Sequence, residues 1–140
     1  MSTALSALLL ATLFTPEKKV FDETVDSVTV PTATGEVGIL PNHAPLISSL
    51  KSGILSFANK GTSEKMVVSG GFVEVSTNKV SILTDIAEKA EEINTETARA
   101  DREASEKALS GIWSGTEEEY EAEKERLERA QARLSLAAGK

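Results

Sequence analysis

Side chains that commonly act in catalysis are scarce in this sequence. Its 140 residues include no cysteine and a single histidine, His43. A nucleophilic hydrolase needs a nucleophile beside a base, and no carboxylate stands near His43 in the sequence to orient such a base. The flanking run 41–45 contains two prolines, so this stiff loop is typical of a structural or interface site. We therefore expect no catalytic site in this chain.

Cofactor and metal sites are not indicated either. Metal ligands would have to be several histidines or carboxylates at short, fixed spacing, and thiolate ligands are excluded because cysteine is absent. Neither G-x-G-x-x-G nor G-x-x-x-x-G-K-[ST] occurs, so no phosphate-binding loop is predicted. Gly70-Gly71 indicates a turn between strands, and the acidic run 117–121 indicates a helix N-terminus with a solvated face. We expect no bound cofactor.

The charge balance argues against nucleic acid and against an anionic membrane as direct partners. Acidic residues number 22 and basic residues 15, a net charge of −7, whereas both partners favour a clustered basic face. The apolar run 4–14 is shorter than the roughly 20 residues of a spanning helix. It also lacks the basic residues of a signal peptide or mitochondrial presequence. We interpret it as a buried first strand ending at Thr15-Pro16, with membrane association only through partners.

The hydrophobic periodicity of the sequence changes part-way along the chain, from that of strands to that of helices. Up to about Asp85, short apolar runs alternate with Gly, Pro and Asn turns, which is typical of a β-sandwich. The runs 73–75 and 80–82 flank Thr77-Asn78, for example, and predict a hairpin. The first domain, residues 1–88, is therefore predicted to be a β-sandwich or flattened antiparallel barrel.

The second domain, residues 89–140, has the hydrophobic periodicity of two helices. The predicted fold class is therefore α+β with a C-terminal antiparallel two-helix hairpin. Asn94 or Thr95 is a suitable N-cap for a first helix that runs to about Ser110. Its expected apolar face consists of Ala100, Ala104, Ala108, Ile112 and Trp113. A capping box at Thr116-Glu119 begins a second helix that runs to about Ala138. The expected seam of that helix consists of Tyr120, Leu127, Ala130, Leu134 and Ala137.

The apolar surface of this hairpin is predicted to be thin. Alanines offer little area, so packing between the helices stabilises them only modestly. An ion pair between Glu125 and Arg129, four residues apart, adds on the order of 0.3–0.5 kcal/mol. Such a hairpin needs the sandwich or another subunit beneath it. Two interpretations stay open, a detachable switch and a solvated appendage.

Several collinear motifs carry a resemblance to a known family. Residues 35–46, GEVGILPNHAPL, closely resemble the G-E-x-G-[IV]-L-P-x-H-A-P-L signature of the ATP synthase epsilon/delta family. Further segments are similar, in the same order, to other motifs of that family: 15–21, 50–55, 69–75 and 80–87. The resemblance implies a non-catalytic central-stalk subunit of F-type ATP synthase, which couples proton-driven rotation of the c ring to ATP synthesis.

The resemblance also implies where partners bind. The sandwich would contact the gamma subunit and the c ring through Glu36, Pro41, Asn42, His43 and Pro45. Glu36, which has glycines close by, is expected in an exposed turn. The hairpin would lie folded on the sandwich or extend into the head of alpha and beta subunits, where it would inhibit ATP hydrolysis. Its contacts with acidic loops of the catalytic subunits would come from Lys124, Arg126, Arg129 and Arg133.

One departure from the family bears on nucleotide binding. Some bacterial members bind ATP on the hairpin through an [IL]-D-x-x-R-A pattern, in which an acid and an arginine hold the nucleotide. Asn94 and Thr97 stand at those two positions here, so both charges are missing. We therefore predict that this chain does not bind ATP physiologically.

The sequence leaves the cellular location and one rival function to be considered. The resemblance implies a peripheral complex on the cytoplasmic face of a bacterial plasma membrane, with an organellar inner or thylakoid membrane as the alternative. The rival is a free-standing adaptor, in which a sandwich carries a helical arm that pairs with an unrelated partner helix. A small hydrolase or isomerase would require a nucleophile that the sequence lacks.

Overall fold

The computed structural model describes residues 8–139, which form strands followed by two helices. The strands are β1 (Leu9–Phe14), β2 (Lys19–Val25), β3 (Ser27–Thr32), β4 (Gly35–Ile39), β5 (Leu46–Ser49), β6 (Gly53–Asn59), β7 (Thr62–Ser69), β8 (Phe72–Ser76), β9 (Lys79–Leu83) and β10 (Ile86–Glu88). After a 3-10 turn at Ala90–Glu92 come α1 (Thr95–Leu109) and α2 (Glu117–Ala138). The predicted α+β order, a sandwich and then a helical hairpin, is confirmed.

The strands form two five-stranded sheets packed face to face. Sheet A has the order β2-β1-β9-β8-β5 and sheet B the order β10-β7-β6-β3-β4. Neighbouring strands are antiparallel except β1 and β9, which run parallel. Among the described residues, the main cluster of buried apolar side chains comes entirely from the strands and their loops. The sandwich therefore has a hydrophobic core to which the helices contribute nothing.

The first strand corrects the expectation of a continuously buried run. β1 begins at Leu9, and residues 4–7 of the expected segment lie outside the described residues. Leu9 and Leu13 are fully buried, whereas Leu10 and Phe14 are 41% and 38% exposed. Successive side chains of a strand point to opposite faces, so only every second residue of β1 reaches the core. The expectation was wrong for the outward half of the strand.

Two turns form as the sequence predicts. In the β8–β9 hairpin Val75 lies opposite Val80, and the intervening Thr77 and Asn78 both have positive φ, at 20° and 57°. Positive φ at both central residues is what a two-residue hairpin turn requires. The Gly70-Gly71 turn carries the chain from sheet B to sheet A, and a side chain at its second glycine would collide with a backbone carbonyl of β9.

Both helices begin with the predicted caps. The side chain of Asn94 accepts a hydrogen bond from the backbone N–H of Thr97 at 3.0 Å. Thr116 and Glu119 form the capping box, with reciprocal bonds of 3.1 and 2.8 Å. These bonds satisfy N–H groups that a helix N-terminus leaves free.

The apolar face expected for α1 was wrong. Its buried residues are Ala98 and Ser105, seven positions apart, while Ala100, Ala104 and Ala108 are exposed. The helix is turned so that its one leucine, the half-buried Leu109, lies on the face of the buried pair. A leucine buries more apolar area than an alanine, which favours this orientation. Beyond the helix, Ile112 is also exposed.

Only the second half of α2 lies on the sandwich. Within residues 8–139, its hydrogen bonds, ion pairs and apolar-cluster contacts with the sandwich all involve residues 125–136. Leu136 and Ala132 pack on Val67 of β7, with the partly buried Ile54 beside them. β7 is consequently covered on both faces, by the core and by α2.

Candidate partner-binding surfaces

The residues predicted to contact the c ring and gamma lie along one side of the sandwich. β4 and β5 are the edge strands of sheets B and A, and residues 40–45 connect them. We call residues 35–49 the β4–β5 rim. The rim joins the two sheets on the side of the molecule where both have an unpaired edge, so its backbone and side chains are available to a partner.

Glu36 is exposed, as expected, but it does not lie in a turn. It is the second residue of β4 and stands opposite Pro31 of β3. The turn is already complete before Glu36, because the hydroxyl of Thr32 donates a 2.6 Å hydrogen bond to the carbonyl of Gly35. Gly35, with a φ of 122°, takes the conformation that the turn needs. Exposure of Glu36 therefore comes from its place on an edge strand.

The loop of the rim is fixed by a pair of asparagines as well as by its prolines. The backbone N–H of Asn42 donates to the side-chain oxygen of Asn78 at 2.5 Å, and the Asn78 amide donates to the Asn42 side chain at 3.3 Å. Asn42 has a φ of 68°, a conformation that asparagine tolerates better than most residues. The bonds tie the loop to the β8–β9 turn, while Pro41 is half-buried and Pro45 exposed.

His43 has a defined donor and acceptor side. Its Nδ1 lies 2.7 Å from the carbonyl oxygen of Ala44. Because a carbonyl only accepts hydrogen bonds, Nδ1 carries the proton and Nε2 is left as the acceptor in neutral imidazole. His43 thus offers an acceptor to a partner. In the part of the chain that the structure describes, no cluster of three or more His, Asp or Glu side chains is arranged to hold a metal ion.

The structure does not bring the predicted rim residues to one point. Glu36 stands near the start of β4, while Pro41 and His43 follow its end. At about 3.3 Å per residue, the strand separates Glu36 from Pro41 by about 16 Å. The predicted residues therefore mark two points along an extended edge rather than a compact site.

An exposed apolar patch on sheet A was missed at the sequence level. Phe14, Phe72 and Leu83 lie on the neighbouring strands β1, β8 and β9, and Leu83 stands opposite both phenylalanines. Their exposures are 38%, 42% and 43%. We call these three residues the sheet A patch. The sequence carries a signal for it: alternate residues of a strand share a face, and Phe72 therefore shares its face of β8 with the charged Glu74, which indicates exposure.

The basic residues predicted to contact the catalytic head do not share one face of α2. Arg126, Arg129 and Arg133 are three and four positions apart and lie on one side, whereas Lys124 lies roughly opposite. Lys124 sits over the ring of Tyr120, with Nζ 5.8 Å from its centre. Arg126 pairs with Glu123 of the same helix at 2.5 Å and is half-exposed.

The other two arginines bind the sandwich. Arg133 donates from Nε to Glu88 at 2.6 Å and from its NH2 group at 3.3 Å, and it lies 3.9 Å from Asp101 of α1. Arg129 donates to the hydroxyl of Ser69 at 3.2 Å. The expected ion pair between Glu125 and Arg129 was wrong, because Glu125 accepts from the same hydroxyl at 3.3 Å. The Ser69 hydroxyl also lies 2.7 Å from the buried Ser52 hydroxyl, so it donates to Glu125 and accepts from Arg129 and Ser52, which satisfies its full bonding capacity.

A polar bond links the two helices of the hairpin. The hydroxyl of Ser105 in α1 donates to Glu123 of α2 at 2.6 Å. This hydrogen bond and the adjacent charge of Arg126 hold the pKa of Glu123 below its ordinary value of 4.5, in spite of partial burial.

The positions that resemble the family's ATP motif border a small recess. Its volume is about 170 Å³, below the roughly 300–1,000 Å³ typical of small-molecule sites. It is lined by Glu88, Glu92, Asn94, Thr97, Ala98 and Arg133. Arg133, the one basic side chain in this lining, already binds Glu88. The prediction that the chain does not bind ATP is consistent with this geometry and stays a prediction.

Comparison with known proteins identifies the family. Residues 9–90 match the family model described as the beta-sandwich domain of the ATP synthase delta/epsilon chain. The match covers more than half of the chain. This protein belongs to the ATP synthase delta/epsilon family. The matched residues begin with β1 and end just after β10, so they span the whole described sandwich.

Relatives extend the likeness into the hairpin. The ATP synthase epsilon chain of Geotalea uraniireducens is 40% identical over 126 residues, 90% of this chain and 91% of the relative. That of Pelotomaculum thermopropionicum is 48% identical over 98 residues, 70% of this chain and 73% of the relative. Both are bacterial members of the delta/epsilon family.

Solved structures agree with the fold. A chain in the Euglena gracilis mitochondrial ATP synthase, a structure of OSCP, F1 and c-ring, is 29% identical with a TM-score of 0.78; the alignment covers 94% of this chain and 82% of that one. A chain from the central stalk and c-ring of the Tetrahymena thermophila enzyme has a TM-score of 0.64 at 21% identity, covering 92% and 96%, and supports the fold alone.

Proposed function

We propose that this delta/epsilon-family chain is a non-catalytic central-stalk subunit of an F-type ATP synthase, coupling rotation of the c ring to ATP synthesis. The observation that carries the proposal is its 40% identity to an ATP synthase epsilon chain across 90% of its length. The chemistry of the chain agrees with a non-catalytic role. Among the described residues, the hydrogen bond of its single histidine runs to a backbone carbonyl and not to a nucleophile or an orienting carboxylate.

Two surfaces of the sandwich suit two partners. The sheet A patch is apolar, and stable protein interfaces have apolar centres, so we assign it to the gamma subunit, which stays bound during rotation. The β4–β5 rim presents Glu36 and the acceptor nitrogen of His43 together with the exposed apolar side chains of Leu40 and Ile47, and we assign this mixed surface to the loops of the c ring. Contacts with both partners would let a rigid sandwich transmit torque from one to the other.

The hairpin is proposed to act as a brake on ATP hydrolysis. Its second helix carries a row of arginines, which suit the carboxylates of acidic loops on the catalytic subunits. Those contacts require the hairpin to leave the sandwich, because Arg129 and Arg133 are bound there. The brake would therefore act only in the undocked state.

The complex is proposed to lie on the cytoplasmic face of a bacterial plasma membrane, in keeping with the bacterial relatives; an organellar membrane is the alternative. No helix in residues 8–139 is both long and apolar enough to cross a membrane. Attachment to the membrane would then come through the c ring.

Reconstitution tests the proposal. The purified chain is mixed with a gamma-containing catalytic head that lacks it, either at full length or truncated after Lys89, which leaves β10 intact. We expect both forms to co-elute with the head and only the full-length chain to suppress ATP hydrolysis. Co-elution without suppression would remove the brake and keep the coupling role. Absence of co-elution would contradict the proposal and favour the adaptor.

A further inference from the structure

The contact between α2 and the sandwich is mostly polar. Within residues 8–139, its apolar part is one small cluster, in which Ala132 and Leu136 of α2 pack on Val67 with Ile54, Ala90 and Ile93 beside them. Around that centre lie the bonds of Glu125 and Arg129 to Ser69 and two ion pairs to the sandwich. An interface with so little apolar area depends on its charged contacts to stay closed.

The charged contacts divide the basic residues of α2 into two groups. Within residues 8–139, Lys124 and Arg126 bind groups of their own helix and not of the sandwich, so they are available while the hairpin is docked. Arg129 and Arg133 are turned toward the sandwich, and the Arg133 side chain is only 19% exposed. A docked hairpin thus presents half of its candidate basic contacts and withholds the other half.

Among these contacts, Glu88 is the sandwich residue that pairs with Arg133. It is the last residue of β10, at the point where the chain leaves the sandwich, and both of its oxygens accept from Arg133. Asp101, the second acid near Arg133, belongs to α1 and would move with the hairpin. When the hairpin leaves as a unit, Arg133 therefore loses Glu88 and keeps Asp101.

We infer that Glu88 acts as an internal competitor for Arg133: it holds the hairpin on the sandwich, and a carboxylate-rich surface on the catalytic head must displace it to engage Arg129 and Arg133. The inference rests on the proposed brake and names the contact that regulates it. Because the docked Arg133 side chain is only 19% exposed, a surface of the catalytic head reaches its N–H donors only after the hairpin leaves the sandwich, so docking and engagement of Arg133 exclude each other. Weakening the Glu88 contact should strengthen inhibition.

The absence of cysteine makes undocking measurable with a single introduced thiol. Ala132 is buried against β7, so a thiol in Ala132→Cys is modified only when the hairpin leaves the sandwich. Ala130 is also buried, on the side of α2 that faces α1, seven residues after Glu123. A thiol in Ala130→Cys reports separation of the helices or unfolding instead.

Glu88→Gln is compared with Glu91→Gln in both thiol backgrounds. Glu91 is exposed and lies three residues on, so the control removes the same charge from a side chain with no ion pair among the described residues. We expect Glu88→Gln to speed modification of the thiol at 132 about fivefold, as suits one partly buried ion pair, and to leave the thiol at 130 unchanged. Glu91→Gln should alter neither rate.

The same substitutions are then tested in the cysteine-free chain bound to the catalytic head. Glu88→Gln should inhibit ATP hydrolysis more strongly than wild type or Glu91→Gln. Equal modification rates for the two variants would overturn the inference. If truncation after Lys89 relieves inhibition, faster modification in Glu88→Gln without stronger inhibition would overturn it as well. If truncation changes nothing, the brake itself fails, and the thiol rates alone decide whether Glu88 holds the hairpin.

Discussion

The sandwich and the hairpin are stabilised by different interactions. The sandwich interior consists mainly of buried branched and aromatic side chains, including Leu55 and the stacked pair Phe21 and Phe57, whose ring centres are 3.9 Å apart. The helices meet instead through alanines and a polar bond, Ser105 to Glu123. A core of large apolar residues resists local opening, whereas a small and polar contact opens at low cost. The difference suits a rigid platform that carries a movable arm.

The largest expected effect is on the core of the platform. Leu55→Ala removes a fully buried side chain of β6 and should lower the free energy of unfolding by about 2–5 kcal/mol. The matched change Leu127→Ala removes a half-buried leucine from the helix seam, so it should cost clearly less. Urea denaturation followed by circular dichroism measures both. Equal losses would contradict the division into platform and arm.

The next effect concerns the sheet A patch. Phe72→Asp places a charge in the proposed gamma interface and should weaken binding to the head at least about thirtyfold, as loss of an interface hot spot does. Ser76→Asp, at the other end of the same strand and face, is the control. Titration calorimetry measures the affinities. If both variants bind equally well, gamma contacts another surface.

A smaller effect is the different response of hairpin docking and sandwich stability to salt. The pair between Lys51 and Glu128 is exposed, and the Debye length falls from about 10 Å at 0.1 M to about 3 Å at 1 M salt. Modification of a thiol in Ala132→Cys should therefore speed up severalfold across this range, while unfolding of the truncated sandwich shifts little. A rate independent of sodium chloride would show that apolar contacts dominate docking.

The smallest effect is on pH dependence inside the hairpin. Because the pKa of Glu123 is lowered in the folded chain, its charge stabilises the helix pair above pH 4.5, and this contribution is lost as the pH falls through the lowered pKa. Ser105→Ala removes the main cause of the lowering and should reduce the loss that occurs as the pH falls below 4.5. Urea denaturation at each pH, followed by the helical circular dichroism signal, reports it; an unchanged profile would exclude Glu123 as the titrating group.

Local signals made much of the fold predictable. Caps such as Asn94 and Thr116, and the turn at Thr77-Asn78, depend on residues next to one another in sequence, so they were predicted correctly. The face of α1 was not, because an alanine stripe and the opposite face with Leu109 are both possible until α2 is in place. The orientation of a weakly amphipathic helix is decided by tertiary packing.

The candidate surfaces were predictable only in part. The motif around His43 indicated the β4–β5 rim because its residues are contiguous in sequence. The sheet A patch combines residues from three strands and requires the β1–β9 pairing, which is parallel and far apart in sequence. Likewise, nothing near Arg133 in sequence indicates that Glu88, 45 residues earlier, is its partner.

The most direct test of the account is the affinity of the full-length chain and of the chain truncated after Lys89 for a catalytic head that lacks this subunit. If the sandwich is the platform that joins the central stalk, the two dissociation constants should agree within about tenfold, since the main interface lies outside the hairpin and truncation removes only the contacts of the brake. A hundredfold loss of affinity on truncation would contradict the account, because the helices would then be the main attachment and the sandwich would not be the coupling element.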